Sequence, residues 1–138
     1  MVVVCVAGHF DLLHPGHIRL LEQARGLGDV LVVGVLSHVT NPETSRTIAP
    51  VAERVEILGA LASIDYATEV VGEPEVFLRS LAPDVIVEGS RANSGAPPAP
   101  QSSKQFQADA IGCKVVRFPL EPGYSTAGIV ERILESPT

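Results

Sequence analysis

The residues with the most obvious chemical potential lie together near the start of the chain, in the segment Gly8-His9-Phe10-Asp11-Leu12-Leu13-His14-Pro15-Gly16-His17. Gly8 directly follows an apolar run, and a position without a side chain lets a ligand approach the backbone. Pro15 suits the first position of a helix, and that helix would contain His17. A strand, a glycine turn and a helix N-terminus in this order predict an anion-binding site.

Two histidines of this segment are suited to contact one bound group. His14 and His17 are three residues apart with Gly16 between them, so both imidazoles are expected beside the helix N-terminus. From there they could donate hydrogen bonds to phosphate oxygens. Two other interpretations stay open, namely incidental histidines at the start of a surface helix and a metal site that also uses His9. The residue order of the whole segment 8–17 favours the phosphate interpretation.

The elements that must position this segment follow from an alternation of apolar runs and helical periodicity. Apolar runs typical of short buried strands cover residues 2–7, 30–36, 67–71, 85–87 and 114–118. Helical periodicity covers residues 18–27, 51–62, 75–81, 103–111 and 126–134. This alternation predicts an α/β fold, a single Rossmann-like doubly wound domain with a five-stranded parallel sheet.

Three loops follow strands in that arrangement and are expected to carry the site, because ligands on such sheets bind beyond the C-terminal ends of the strands. They cover residues 8–16, 37–49 and 89–101. The third loop contains Ala96-Pro97-Pro98-Ala99-Pro100, which is incompatible with the interior of a helix or strand and predicts a surface loop.

Composition limits the classes of function. A chain of 138 residues with 46% apolar residues has material for one core, so residues 1–138 are expected to form one domain. A formal net charge of −6 argues against a nucleic-acid partner. No basic leader and no apolar run of ~20 residues is present, which predicts a cytoplasmic protein without a membrane partner. Cys5 and Cys113 lie in apolar runs and are expected to be buried thiols outside any disulfide or metal site.

Four separated segments resemble one known family. Segment 8–17 resembles the signature of the HxGH nucleotidyltransferase superfamily, in its cytidylyltransferase-like branch. Residues 20–29 resemble the first helix of that family and the turn into its second strand. Arg46, Pro50 and residues 53–61 resemble its next helix, and residues 123–126 followed by Ile129 resemble its closing motif. Within the branch, the chain is similar to the heptose 1-phosphate adenylyltransferase domain and to glycerol-3-phosphate cytidylyltransferase.

The resemblance implies a reaction and roles for particular residues. AMP or CMP would pass from an NTP to a sugar phosphate, polyol phosphate or similar phosphorylated small molecule, with release of pyrophosphate and no covalent intermediate. His14 and His17 would stabilise the charge on the transferred phosphate, and Arg54 would hold the outgoing phosphates. The nucleotide contacts that it assigns are Gly8, His9, Phe10, Gly16, Arg54, Ser125 and Thr126.

The same resemblance implies companions of the reaction. Mg²⁺ is expected to arrive with the NTP, since no dedicated carboxylate cage is evident in the chain. Relatives of this kind are often dimers, so a homodimer is a further expectation. The segment 120–123 favours adenine as the base, by analogy with the heptose enzymes.

Departures from the family pattern concern the acceptor half of the site. The heptose enzymes carry a lysine after the fourth strand where this chain has Glu88, and a carboxylate there would repel a phosphate unless Arg91 compensates. Arg46 is the only cation of loop 37–49, where the relatives place lysines. Asp11 is expected to be structural or a hydrogen-bond acceptor behind the site. The residues that remain possible contacts to a phosphate or to the acceptor are Asp11, Arg46, Glu88 and Arg91.

Two alternative functions remain open. One is an adenylyltransferase that acts on a cofactor precursor, such as a flavin or pantetheine phosphate. The other is a nucleotide-binding protein that has lost catalysis, suggested by the absent lysines and by Glu88. The intact pair of His14 and His17 favours catalysis.

Overall fold

The computed structural model of the chain describes residues 1–36, 49–90, 112–119 and 126–135. Strands and helices follow one another in the order β1 (Val3–Gly8), α1 (Pro15–Arg25), β2 (Val30–Val35), α2 (Val51–Gly59), β3 (Tyr66–Glu69), α3 (Pro74–Leu81), β4 (Val85–Ser90), β5 (Lys114–Pro119) and α4 (Thr126–Glu135). The helix predicted over residues 103–111 lies outside the described residues, as do most of the loops 37–49 and 89–101.

The five strands form one parallel sheet in the order β3-β2-β1-β4-β5. The predicted α/β fold with a five-stranded parallel sheet is confirmed. Strand order changes direction at β1, because β2 and β3 extend the sheet to one side while β4 and β5 extend it to the other. The C-terminal ends of β1 and β4 therefore border the crevice where ligands of doubly wound sheets bind. No helix in the described ranges is long and apolar enough to cross a bilayer.

Each face of the sheet is covered by helices. The face of β1 that carries Val4 and Val6 packs against α1 and α2. The opposite face carries Cys5, which packs with Leu78 of α3 and with Cys113. Both cysteines are buried and neither forms a disulfide. Burial, with a smaller contribution from Cys113, raises the pKa of Cys5 to about 12. A thiol with such a pKa is a packing group of the core and not a nucleophile.

Aspartates hold the N-terminal edge of the sheet. Asp29, Asp65 and Asp84 each stand directly before a strand. Each carboxylate accepts a hydrogen bond from a backbone N–H at the start of a neighbouring strand or directly before it. The three bonds run from the N–H groups of Val2, Leu31 and Val3, at 2.6, 2.8 and 2.8 Å respectively. The first amides of the parallel ladder thus have partners, and strand register is held at the edge opposite the predicted site.

We expect the Asp84→Ala substitution to lower the free energy of unfolding by about 1 kcal/mol, since a charged acceptor is lost from the Val3 amide. The backbone of Asp84 also bonds to Val3 and to Lys114, and those bonds would remain. Chemical denaturation measures the effect. Glu56→Ala, on the exposed side of α2, is the control, and equal effects of the two substitutions would contradict the assigned role.

Candidate active site

The loop after β1 folds back on the strand that it leaves. Phe10 has a left-handed backbone with φ of 50°, and its side chain is 6% exposed. A Cβ placed on Gly8 would lie 3.0 Å from Cε2 of the Phe10 ring. The sequence predicted that a ligand approaches the backbone at Gly8, but in the structure the ring of Phe10 occupies that space. The glycine is needed for the close approach of Phe10 to the end of β1.

The two histidines cap helix α1 reciprocally. His14 is the N-cap residue, and its Nδ1 accepts the N–H of Gly16 at 3.1 Å. Nδ1 of His17 accepts the N–H of His14 at 3.3 Å. Pro15 takes the first helical position, where no amide proton is needed. The arrangement is a capping box in which imidazoles take the roles that serine and glutamate usually fill.

These caps decide how an anion would be met at this helix. The N–H groups of Gly16, His17 and Ile18 all bond to His14, the first to its ring and the other two to its carbonyl oxygen. The sequence pattern predicted an anion site built on a helix N-terminus, and in the structure the histidine side chains stand where bare amides were expected to bind. An anion would therefore be contacted through the imidazoles.

The caps also decide the tautomer of each ring. A nitrogen that accepts an amide N–H carries no proton, so the proton of each neutral imidazole is on Nε2. The ring centroids of His14 and His17 are 3.8 Å apart and the rings are stacked, with 27° between their planes. The ring of Phe10 packs at 5.4 Å from that of His17. Two Nε2–H donors are thus held side by side.

Burial favours the uncharged form of both rings. It lowers the pKa of His17 to about 4, with a smaller contribution from the neighbouring His14. Burial also lowers the pKa of His14. Two imidazolium rings at this separation would repel each other, and this repulsion also favours the uncharged form of the stacked rings.

The metal interpretation of the histidines finds no support in this geometry. Nδ1 of both His14 and His17 is engaged by an amide, and a cation could bind Nε2 only after its proton had left. Among the described residues, no group of three histidine, cysteine or acidic side chains is placed to hold a metal ion. The donors present are suited to an anion.

Arg54 is buried beneath the loops of this edge. Its side chain is 2% exposed and donates from Nε to the carbonyl oxygen of Ala49 at 2.9 Å. Nη1 donates to the carbonyl oxygens of His9 at 2.7 Å and Leu36 at 2.8 Å. Burial lowers the pKa of Arg54, and the carboxylate of Asp11 opposes that shift, with a further contribution from Glu69. The resemblance implied that Arg54 holds the outgoing phosphates. Nη2 is the one guanidinium nitrogen that these three hydrogen bonds do not use.

Asp11 and Ala49 complete the connection between the first loop and helix α2. Oδ1 of Asp11 accepts the N–H of Ala49 at 2.9 Å. The residue that caps α2, Pro50, has no side-chain cap of its own. Asp11 therefore acts as a hydrogen-bond acceptor for the backbone at the start of α2.

Glu88 lies on the other side of the switch point, on β4, and has a partner that the sequence did not reveal. Its Oε2 is 3.7 Å from Nε of Arg117, the residue opposite it in the pairing of β4 with β5. Burial raises the pKa of Glu88, and Arg117 opposes the shift. From the sequence, Arg91 was the expected cation to compensate the charge of Glu88, because a single sequence does not show which residues of two strands lie opposite each other. In the described part of the chain, Arg117 compensates that charge.

Several residues of the predicted site cannot be compared with the structure. Arg46, Arg91 and Ser125 lie outside the described residues. Thr126 begins α4, but its side chain also falls outside them. Of the remaining predicted residues, Gly8, Phe10, Gly16 and the histidine pair gather at the start of α1. A second group is formed by His9, which bonds to Arg54 directly, and by Asp11, which is linked to Arg54 through Ala49.

The chain is similar to a known protein family and to several proteins of that kind. Residues 5–132 match the model of the cytidylyltransferase-like family. The chain is 36% identical over 135 residues to the bifunctional protein HldE of Haemophilus influenzae (strain PittEE), a match that covers 95% of this chain and 27% of that protein. It is 38% identical over 136 residues to the protein of the same name from Koribacter versatilis. That match covers 94% of this chain and 26% of that protein. The chain thus spans about a quarter of the length of the curated relatives that it matches.

Solved structures give a consistent result. A lipopolysaccharide core biosynthesis protein from Thermoplasma volcanium superposes with a TM-score of 0.70 at 26% identity, over 88% of this chain and 97% of that one. A pantoate-beta-alanine ligase from Francisella tularensis superposes with a TM-score of 0.62 over 98% of this chain and 72% of that one. At 15% identity, the second likeness concerns the fold alone.

We expect the His17 ring to titrate near pH 4 in the folded protein, and not near its ordinary value of 6.5. Between these values the unfolded chain binds a proton on this ring that the folded chain does not. The free energy of unfolding should therefore fall as the pH drops from about 6.5 to 4. An NMR titration of the ring protons measures the pKa. A folded-state value near 6.5 would be incompatible with the buried stack.

Proposed function

Because this chain belongs to the cytidylyltransferase-like family, we propose that it transfers AMP or CMP from an NTP to a phosphorylated small molecule and releases pyrophosphate. The observation that carries the proposal is the pair of capped and stacked imidazoles, which direct uncharged Nε2–H donors from one helix start. A site that handles polyanions needs such donors, because charge increases on phosphate oxygens during the transfer.

The proposed reaction is a single displacement. A phosphate oxygen of the acceptor attacks the α-phosphorus of the NTP, and the bond between that phosphorus and the bridging oxygen to the β-phosphate breaks. Pyrophosphate leaves with the bond electrons. Negative charge grows on the oxygens around the α-phosphorus, and His14 and His17 donate hydrogen bonds to them. Since both rings enter this step uncharged, they bind the triphosphate as donors and their Nε2 protons need not leave.

Magnesium is proposed to enter with the triphosphate. It would neutralise part of the charge on the phosphates, as it does in other phosphate transfers. The chain itself would supply hydrogen-bond donors at the transferred group. Ser125 and Thr126 are retained as proposed contacts to the nucleotide, on the resemblance of residues 123–126 to the closing motif of the family.

A sugar phosphate is the proposed acceptor and adenine the proposed base. Both proposals are supported by the resemblance to heptose 1-phosphate adenylyltransferase domains, and the choice of a sugar is consistent with the likeness to a lipopolysaccharide core biosynthesis protein. The pairing of Glu88 with Arg117 adds support, because it offsets the carboxylate that would otherwise oppose a phosphorylated acceptor. A homodimer remains a prediction.

The test is pyrophosphate release with ATP or CTP and a panel of acceptors that includes sugar, polyol, flavin and pantetheine phosphates. We expect His17→Asn to lower kcat by about 100-fold to 1,000-fold, as loss of one preorganised donor does in comparable sites. The asparagine oxygen can replace Nδ1 in the cap, whereas nothing replaces Nε2–H.

His17→Gln is the matched variant, because its longer side chain places an N–H closer to the position of Nε2, and it should retain more activity. Turnover by His17→Asn at the parental rate would rule out catalysis by this pair. Nucleotide binding without turnover on any acceptor would favour the degenerate binding protein, and turnover only with a flavin or pantetheine phosphate would favour the cofactor-precursor enzyme.

A further inference from the structure

The segment 9–11 is tied at both ends to the start of helix α2. At one end, the His9 carbonyl oxygen accepts Nη1 of Arg54 at 2.7 Å. At the other end, Oδ1 of Asp11 accepts the Ala49 N–H at 2.9 Å. Nε of Arg54 bonds to the Ala49 carbonyl oxygen at 2.9 Å, which closes the connection into a ring. We call these three bonds the loop clamp.

The residue between the two ends of the loop clamp has an unusual backbone. Phe10 lies in the left-handed region, with φ of 50°. A bulky side chain occupies that region only where the surrounding structure imposes it. The loop clamp holds the residues on both sides of Phe10, so it can help to impose this conformation.

The conformation of Phe10 in turn determines the surroundings of His17. It brings the phenylalanine ring within contact of Gly8 and to 5.4 Å from the imidazole of His17. The ring therefore contributes to the burial that lowers the pKa of His17. If the loop clamp were changed, we would expect the ring of Phe10 to shift and the imidazole to become more exposed.

From this geometry we propose that Arg54 and Asp11 are positioning residues, which orient His17 by holding Phe10 in its left-handed conformation. The consequence for catalysis rests on the proposed nucleotidyl transfer, whereas the consequence for the geometry of His17 does not. Arg54 acts here through backbone carbonyl groups of His9 and Ala49, and its third bond, to Leu36 at 2.8 Å, ties the end of β2 to the same point.

The test combines three variants of the full chain with two measurements. Asp11→Ala removes the acceptor of the Ala49 amide, and Asp11→Asn retains an oxygen that can accept it. Arg54→Lys keeps the positive charge but cannot reproduce the planar set of donors that reaches three carbonyls. The first measurement is the pKa of the His17 ring by NMR, and the second is kcat and KM for pyrophosphate release.

We expect Asp11→Ala and Arg54→Lys to raise the pKa of His17 from about 4 toward its ordinary value. Asp11→Asn should restore a pKa close to that of the parent. Both disruptive variants should lower kcat by about 100-fold, the cost of a small misplacement of a catalytic group, with a far smaller change in KM. Glu75→Gln and Arg79→Lys, which alter an exposed ion pair of α3, are the controls and should leave the pKa of His17 unchanged.

An unchanged pKa of His17 in Asp11→Ala and in Arg54→Lys would overturn the proposal. If Arg54→Lys instead weakened ATP binding more than AMP binding and left His17 unchanged, Arg54 would be a phosphate ligand and not a positioning residue. Should Arg54→Lys fail to fold, the comparison of Asp11→Ala with Asp11→Asn decides alone. Absence of turnover in the parent would reject the proposed function, and the pKa measurement would still decide the role of the loop clamp.

Discussion

The buried guanidinium of Arg54 is the interaction on which the C-terminal edge of the sheet depends. Burial of a charge is costly unless hydrogen bonds compensate for the lost water, and here Nε and Nη1 donate to three carbonyl oxygens. Two of these acceptors, His9 and Leu36, lie 45 and 18 residues away along the chain. The ends of β1 and β2 and the start of α2 therefore meet at one side chain, which helps to hold the loop after β1 in place.

The two edges of the sheet are held by different kinds of side chain. At the N-terminal edge, the carboxylates directly before three strands accept hydrogen bonds from backbone N–H groups of neighbouring segments. At the C-terminal edge, the loops are held by a cation that bonds to carbonyl groups. In a parallel sheet, the first residues of all strands lie at one edge and the loops that follow the strands lie at the other.

Helix capping and proposed catalysis share the same atoms in the histidine pair. The bonds that complete the first turn of α1 also place the ring protons on Nε2 and hold the two rings in a stack. Burial by Phe10 and the protein around it keeps the pair uncharged, so that two donors stand close together without mutual repulsion. In the proposed reaction, a polyanion at this site would be contacted by two uncharged hydrogen-bond donors.

Local patterns in the sequence determined the order of strands and helices, the parallel sheet and the position of His14 and His17 at a helix start. These features depend on periodic burial and on residues three or four positions apart, and both are visible in a single sequence. The pairing of Glu88 with Arg117, the carbonyl partners of Arg54 and the placement of the Phe10 ring over Gly8 were decided by the tertiary structure. The first two depend on strand register and on contacts between distant segments, and the third depends on a left-handed backbone held by such contacts. No local pattern encodes these distances, because they exist only once the strands have been assembled in their order.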